Sequence, residues 1–198
     1  MAKGRLFIVS GPSGVGKSTV LKALLERRKN ARFSVSATTR PIRQGEIDGV
    51  HYHFLSVETF LEWIARDAFL EYAEYVGNFY GTPEKFVRQA MDEGQDIILD
   101  IERQGAAQVI AKMPEAVRVF IGPPSWKELE RRLRARGTNT EEDIHRRLFQ
   151  AGAELHAARD YDYFVVNDEL ETAVKELDAI MTAEHCRPSG RIELLEYA

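Results

Sequence analysis

Near the N-terminus, Gly11-Pro12-Ser13-Gly14-Val15-Gly16-Lys17-Ser18-Thr19 contains the spacing G-x-x-x-x-G-K-S. Glycines at this spacing allow backbone conformations and close approaches that a Cβ would block, so successive N–H groups can converge on phosphate oxygens. Lys17 can reach β- and γ-phosphates, and the Ser18 hydroxyl can ligate Mg²⁺. A helix beginning near Lys17 adds the positive end of its dipole. A strand-like run precedes the loop and a stripe of Val20, Leu21, Leu24 and Leu25 follows it. That is the context a phosphate cradle needs, and it predicts a nucleoside-triphosphate site.

The loop does not say what receives the phosphate. A GTPase would also carry a base-reading N-K-x-D, and neither Asn139 nor Asn167-Asp168 fits that pattern. A chain of 198 residues with no mechanical module favours a small-molecule kinase. The stretch from Ser36 to Glu46 places Arg40 and Arg43 three apart among Pro41 and Gly45. Paired guanidinium forks suit a phosphate monoester dianion, and the phenols of Tyr52 and Tyr80 can add donors. Asp100 ends a hydrophobic strand, where either a phosphate-site carboxylate or a helix cap is expected.

Further on, Trp126–Arg136 and Thr140–Arg159 read as two helices joined through Gly137, with Thr140 and Asp143 spaced as a capping box. Six arginines lie here, at 131, 132, 134, 136, 146 and 147. At roughly 100° per residue, Arg136 lies about 20° from Leu129 and Arg147 about 60° from Ile144, so both face inward. Arg131 and Arg146 point the other way, and Arg132 lies near the inner face.

These side chains need a scaffold. Arg5–Ser10, Ile97–Ile101, Val117–Ile121 and Tyr163–Asn167 are short, β-branched or aromatic runs that read as buried strands. Helical patterns lie between and after them, the last carrying Leu170, Val174, Leu177, Ile180 and Met181. The alternation predicts an α/β fold, a parallel sheet flanked by helices and joined by right-handed crossovers. Strand order is not legible. From Ser36 to Pro83 the rhythm breaks into extended pieces around one helix, Val57–Arg66 with Ser56 as N-cap, which predicts a small mixed α/β insertion.

The chain is 44% hydrophobic and 29% charged, with no apolar stretch long enough to span a bilayer and with Lys3 and Arg5 interrupting any secretory segment. Cys186 is the single cysteine, so no intramolecular disulfide or cysteine metal cage can form. The expected location is cytoplasmic. A balance of 27 Lys and Arg against 31 Asp and Glu, net −4, argues against a nucleic-acid-coating surface but not against a local cationic pocket.

Taken in order, GPSGVGKST, SATTRPIRQGEIDGVHY, FLEYAEYVGNFYGT, ILDIERQGA, RARGTNTEEDIHRRL and VVND resemble guanylate kinase across essentially the whole chain. The resemblance implies a P-loop core (1–35 and 84–198), a nucleoside-monophosphate-binding insertion (36–83) and a helical lid (124–150). It assigns Arg40, Arg43, Tyr52 and Tyr80 to the GMP phosphate, and Ser36, Glu71 and Thr82 to the guanine. Asp100 falls on the acceptor side near the transferring phosphoryl, and Asn167 near the adenine of ATP. Arg136 and Arg147 become the lid arginines that clamp the triphosphate.

The implied reaction is transfer of the γ-phosphoryl of MgATP to GMP and dGMP, in purine nucleotide metabolism, with closure over both nucleotides. No nucleic-acid or membrane partner is implied, and a homo-oligomer is left open. Two departures from the family pattern stand out: Pro41 comes one place early between the two arginines, and Glu102 replaces an aspartate. The alternatives are a non-catalytic guanylate-kinase-like interaction module, which would lose Lys17 or the lid arginines, and a related P-loop kinase for another phosphorylated sugar or nucleotide.

Overall fold

The structure, a computed structural model, describes residues 3–135 and 140–188. Nine strands and seven helices follow one another in those residues: β1 (Leu6–Ser10), α1 (Lys17–Arg27), β2 (Ala31–Phe33), β3 (Ala37–Thr38), β4 (His53–Phe54), α2 (Val57–Ala65), β5 (Phe69–Tyr75), β6 (Asn78–Pro83), α3 (Glu84–Asp92), β7 (Asp96–Asp100), α4 (Arg103–Lys112), β8 (Val117–Gly122), α5 (Trp126–Ala135), α6 (Glu141–Ala157), β9 (Tyr163–Val166) and α7 (Leu170–Glu184). Five strands form one sheet in the order β2-β7-β1-β8-β9, with the β1–β8, β2–β7 and β8–β9 pairs all parallel. Every residue of β1 is buried, as expected for a parallel strand covered on both faces. The four expected strands are present, with no end shifted by more than one residue. The short β2 was not legible, because only Ala31 of its three residues is buried and no period can form.

The chain divides into two compact units. The first comprises Lys3–Leu6 with Ala31–Ala116. It holds the second sheet, order β4-β3-β6-β5, in which β6 runs antiparallel to both β3 and β5. The β5–β6 hairpin turns through Val76 and Gly77, both at positive φ (50° and 72°), the combination that matches the right-handed twist of flanking strands. Beneath the sheet, Phe60 of α2 stacks on Phe69 and Phe79 with centroids 4.4 and 5.4 Å apart. Ser56 caps α2 by accepting from the Thr59 N–H at 3.1 Å.

The second unit comprises Phe7–Asn30 and the described residues from Val117 onward. Here α5 and α6 share a small core of Leu129, Leu133, Ile144, Leu148 and Ala151. The expected capping box is present in both directions between Thr140 and Asp143. Arg136 and Gly137, singled out in the lid, lie outside the described residues. Helix α7 packs its Val174, Leu177 and Met181 inward and is tied to the end of α1 by Arg27–Glu171 and Arg28–Asp178 pairs of 2.5 and 2.6 Å.

Phe60 is fully buried and stacks on both strand rings, with Trp63 of the same helix adding a tilted contact to Phe69 at 5.7 Å. Phe60→Ala is expected to lower stability by about 3–5 kcal/mol, read as a fall in the urea midpoint; a loss below about 1 kcal/mol would contradict this packing.

Candidate active site

In the first unit, the short strand β3 aims the arginines. Thr38 is fully buried. Its Oγ1 donates to the Phe79 carbonyl at 2.9 Å and accepts the Arg40 N–H at 3.1 Å. From there the Arg40 guanidinium forms a two-pronged pair with Glu46, Nη2 to Oε1 at 2.7 Å and Nη1 to Oε2 at 3.1 Å. The same carboxylate accepts the Arg43 N–H at 2.7 Å. Arg40, then the Arg43 amide, hold the Glu46 carboxyl down to about 2.

Two aromatic residues complete this corner. The Arg40 carbon Cζ sits 5.5 Å from the Tyr52 ring centroid, and the Tyr52 and Tyr80 rings meet edge to face at 6.2 Å. Glu46 first, with Tyr80 contributing, raises the pKa of Arg40 further. The structure thus brings Arg40, Tyr52 and Tyr80 together, with the exposed Arg43 on the same loop. Glu46 and Thr38 were missed as organisers of this site. Both stood in the quoted stretch, but nothing local shows that a carboxylate six residues on closes back onto Arg40.

Glu71 and Thr82 face each other in the β5–β6 ladder. Glu71 is only 9% exposed. Thr82 Oγ1 donates to its Oε1 at 2.6 Å, and among the described residues Thr82 alone hydrogen-bonds this carboxylate. Burial pushes the Glu71 carboxyl above its ordinary value, and Thr82 partly offsets this. The α4 residue Gly105 lies against it: a Cβ there would be 3.1 Å from Oε2. Ser36 is half-buried ahead of β3, its carbonyl taking the His53 N–H at 2.9 Å. Asp100 is the exposed last residue of β7. The N-cap residue of α4 is Glu102, so Asp100 is not that helix's N-cap residue.

The G-x-x-x-x-G-K-S loop lies in the second unit. Gly16, at φ 91°, is the N-cap of α1. A Cβ on it would lie 2.6 Å from Asn167 Nδ2, so both conformation and space require glycine. Asn167 Nδ2 donates to the Val15 carbonyl at 2.7 Å. Arg132 Nη1 donates to the Asn167 carbonyl at 2.8 Å and to the Val15 carbonyl at 3.3 Å. Arg132 is held in turn by Glu128 at 2.7 Å, whose carboxyl is drawn to about 2 by Arg131 and Arg132. These carbonyl contacts turn the loop's acceptors toward the protein.

Lys17 opens α1 half-buried, and Ser18 and Thr19 beside it are exposed. No acidic residue occupies the first turn of α1, so the helix's own sequence leaves its positive end free of an opposing charge. Arg147 Nη1 donates to Ser13 Oγ at 2.9 Å, which brings this arginine onto the loop. Arg131 and Arg146 are exposed and paired with Glu128 and Asp143, pointing away as the helical angles indicated. Sequence geometry placed Arg132 near the inner face without revealing its work; it braces the loop.

The chain matches the family model described as guanylate kinase over residues 3–184. It is 52% identical over 191 residues to the guanylate kinase of Halalkalibacterium halodurans, covering 96% of this chain and 94% of that protein. It is 52% identical over 188 residues to that of Carboxydothermus hydrogenoformans, covering 95% and 92%. The crystal structure of guanylate kinase from Anaplasma phagocytophilum matches with a TM-score of 0.73 at 36% identity, covering 99% of this chain and 95% of that one.

Because the folded state raises the Glu71 pKa above the ordinary 4.5, ionising this group opposes folding as pH rises through the raised value. Glu71→Gln keeps the acceptor for Thr82 and removes the charge. It is expected to unfold at higher urea than wild type at pH 7, with the gap closing as pH falls toward 4.5. A gap that widens on acidification would contradict the assigned direction.

Proposed function

Because this chain belongs to the guanylate kinase family, we propose that it transfers the γ-phosphoryl group of MgATP to GMP, and also to dGMP, giving ADP and the nucleoside diphosphate. The observation that carries the substrate choice is the buried Glu71–Thr82 pair. Guanine presents N1–H and the N2 amino group side by side, and a carboxylate accepts from both. Adenine offers an acceptor at N1 and no C2 amino group, so it leaves the dry carboxylate unmatched, a mismatch worth several powers of ten in selectivity. The contacts assigned to the acceptor address its base and its phosphate, which is why the deoxynucleotide is included.

Arg40, Arg43, Tyr52 and Tyr80 receive the acceptor phosphate. Glu46 keeps the Arg40 fork extended and charged, and a dianionic phosphate is a stronger partner than that single carboxylate. Ser36 joins Thr82 at the base, and Asp100 serves the acceptor side. On the donor side, the loop amides and Lys17 hold the triphosphate, and Asn167 borders the adenine. Arg147, with Arg136, neutralises charge spread over the γ-phosphoryl oxygens and excludes water as a competing acceptor.

Among the described residues no cluster of three or more His, Cys, Asp or Glu side chains could hold a metal by itself. The exposed Ser18 hydroxyl at the loop's end is an oxygen donor of the kind Mg²⁺ accepts alongside substrate phosphates and waters. When bound, the ion supplies positive charge to the polyphosphate. No helix among the described residues is long and apolar enough to cross a membrane, and we place the enzyme in the cytoplasm, with its substrates.

ADP release measured with GMP, dGMP, AMP, CMP and UMP tests the reading. Turnover is expected with GMP and dGMP and to be lower by at least about a hundredfold with AMP; robust turnover of AMP but not GMP would overturn the base assignment. Lys17→Ala is expected to abolish transfer while GMP still binds.

A further inference from the structure

Strand β5 is the terminal strand of the mixed sheet, so one of its edges has no strand to pair with. Alternate residues of an antiparallel strand direct their N–H and C=O to opposite edges, and Tyr72, the residue after Glu71, directs both outward. One side chain satisfies the two groups. Gln108 Oε1 accepts the Tyr72 N–H at 3.2 Å, and Gln108 Nε2 donates to the Tyr72 carbonyl at 3.1 Å. A carboxamide carries the same donor and acceptor as a peptide unit, so Gln108 replaces a neighbouring strand beside the base-reading carboxylate.

One helical turn along α4, Lys112 Nζ donates to the Phe69 carbonyl at 2.6 Å and to the Asp67 carbonyl at 3.3 Å. That anchors the other side of Glu71, including Asp67, whose left-handed backbone (φ 53°) leads the chain into β5. The register between β5 and β6 shifts between Phe69 and Glu71, so pairing with β6 alone leaves this stretch weakly defined. Gly105, three residues before Gln108 and on the same helix face, lies against Glu71 Oε2, where a methyl group would intrude at 3.1 Å.

From this arrangement we infer that the Gly105–Gln108–Lys112 face of α4 positions Glu71 for base recognition, Gln108 fixing the strand and Gly105 keeping the second carboxylate oxygen unobstructed for the nucleobase. The inference deepens the GMP-kinase reading and rests on it. Gln108 and Lys112 act through the strand and Gly105 through the space it leaves, so all three are positioning residues for acceptor specificity.

Steady-state kinetics with GMP and ATP varied separately, on Gln108→Ala, Gly105→Ala and Glu71→Ala, together with thermal unfolding, test it. Gln108→Ala is expected to raise KM for GMP about tenfold with KM for ATP and kcat within about twofold. Gly105→Ala is expected to raise KM for GMP at least about threefold without lowering the unfolding midpoint, because alanine is the better helix former. Where Gln108→Ala lowers the midpoint, Gly105→Ala decides, since its effect cannot come from unfolding. A KM for GMP within about twofold of wild type in the deciding variant, while Glu71→Ala raises it, overturns the positioning role and leaves the base reading intact. An unchanged KM for GMP in Glu71→Ala overturns the base reading itself.

Discussion

A carboxylate held almost dry is costly unless its surroundings satisfy it, and the arrangement of the first unit follows from that constraint. Among the described residues Glu71 is given one hydrogen-bonding partner, Thr82, directly across the hairpin. That places the oxygen facing Gly105 where a ligand's N–H groups can complete the set. The aromatic stack of Phe60, Phe69 and Phe79 supports the hairpin from below, and Gln108 and Lys112 secure its outer edge. A base that supplies two donors relieves the carboxylate; one that supplies an acceptor does not. On the proposed reading, selectivity comes from a polar group that the protein leaves incomplete.

The opposite problem arises in the second unit, where the proposed triphosphate site needs many donors left available. The loop's own acceptors have to be turned away, and the structure does this at the Val15 carbonyl. Asn167 and Arg132 both donate to that oxygen, and Gly16 provides the left-handed backbone and the space that Asn167 needs. Arg132 is fixed by Glu128, whereas Arg147 reaches the loop through Ser13. Two arginines fifteen residues apart thus make different contacts, one bracing the loop through a backbone carbonyl and one reaching it through the Ser13 hydroxyl.

In both units charge is organised by pairing before any substrate arrives. Arg40 is held by Glu46, and that carboxylate is kept ionised by the arginine and the Arg43 amide together. The net charge of −4 therefore conceals cations whose orientation is set by nearby carboxylates. Pro41 lies inside this ring of contacts, its carbonyl accepting from Arg40 at 2.8 Å. The early proline of this chain is thus part of the loop that shapes the arginine. Glu102, the other departure, is the N-cap residue of α4 and makes no side-chain capping bond there.

The phosphate loop was legible because its chemistry is contiguous: glycines, lysine and serine must follow one another to wrap an anion, and strand and helix must flank them. The Thr140–Asp143 capping box and the Ser56 cap were legible for the same reason, since each acts across three residues. Glu71 and Thr82, eleven residues apart, were singled out through the family resemblance, because an acidic residue in an alternating strand looks like any solvated one until the hairpin buries it. What only the tertiary structure decided is which distant groups meet. Asn167 reaches Val15 across 152 positions, Gln108 closes the β5 edge across 36, and the sheet order follows from packing rather than pattern. Contacts within a turn or a cap are dictated by local backbone geometry and can be read from residue spacing. Contacts between elements depend on which faces exclude water together, and that is settled only when the chain folds.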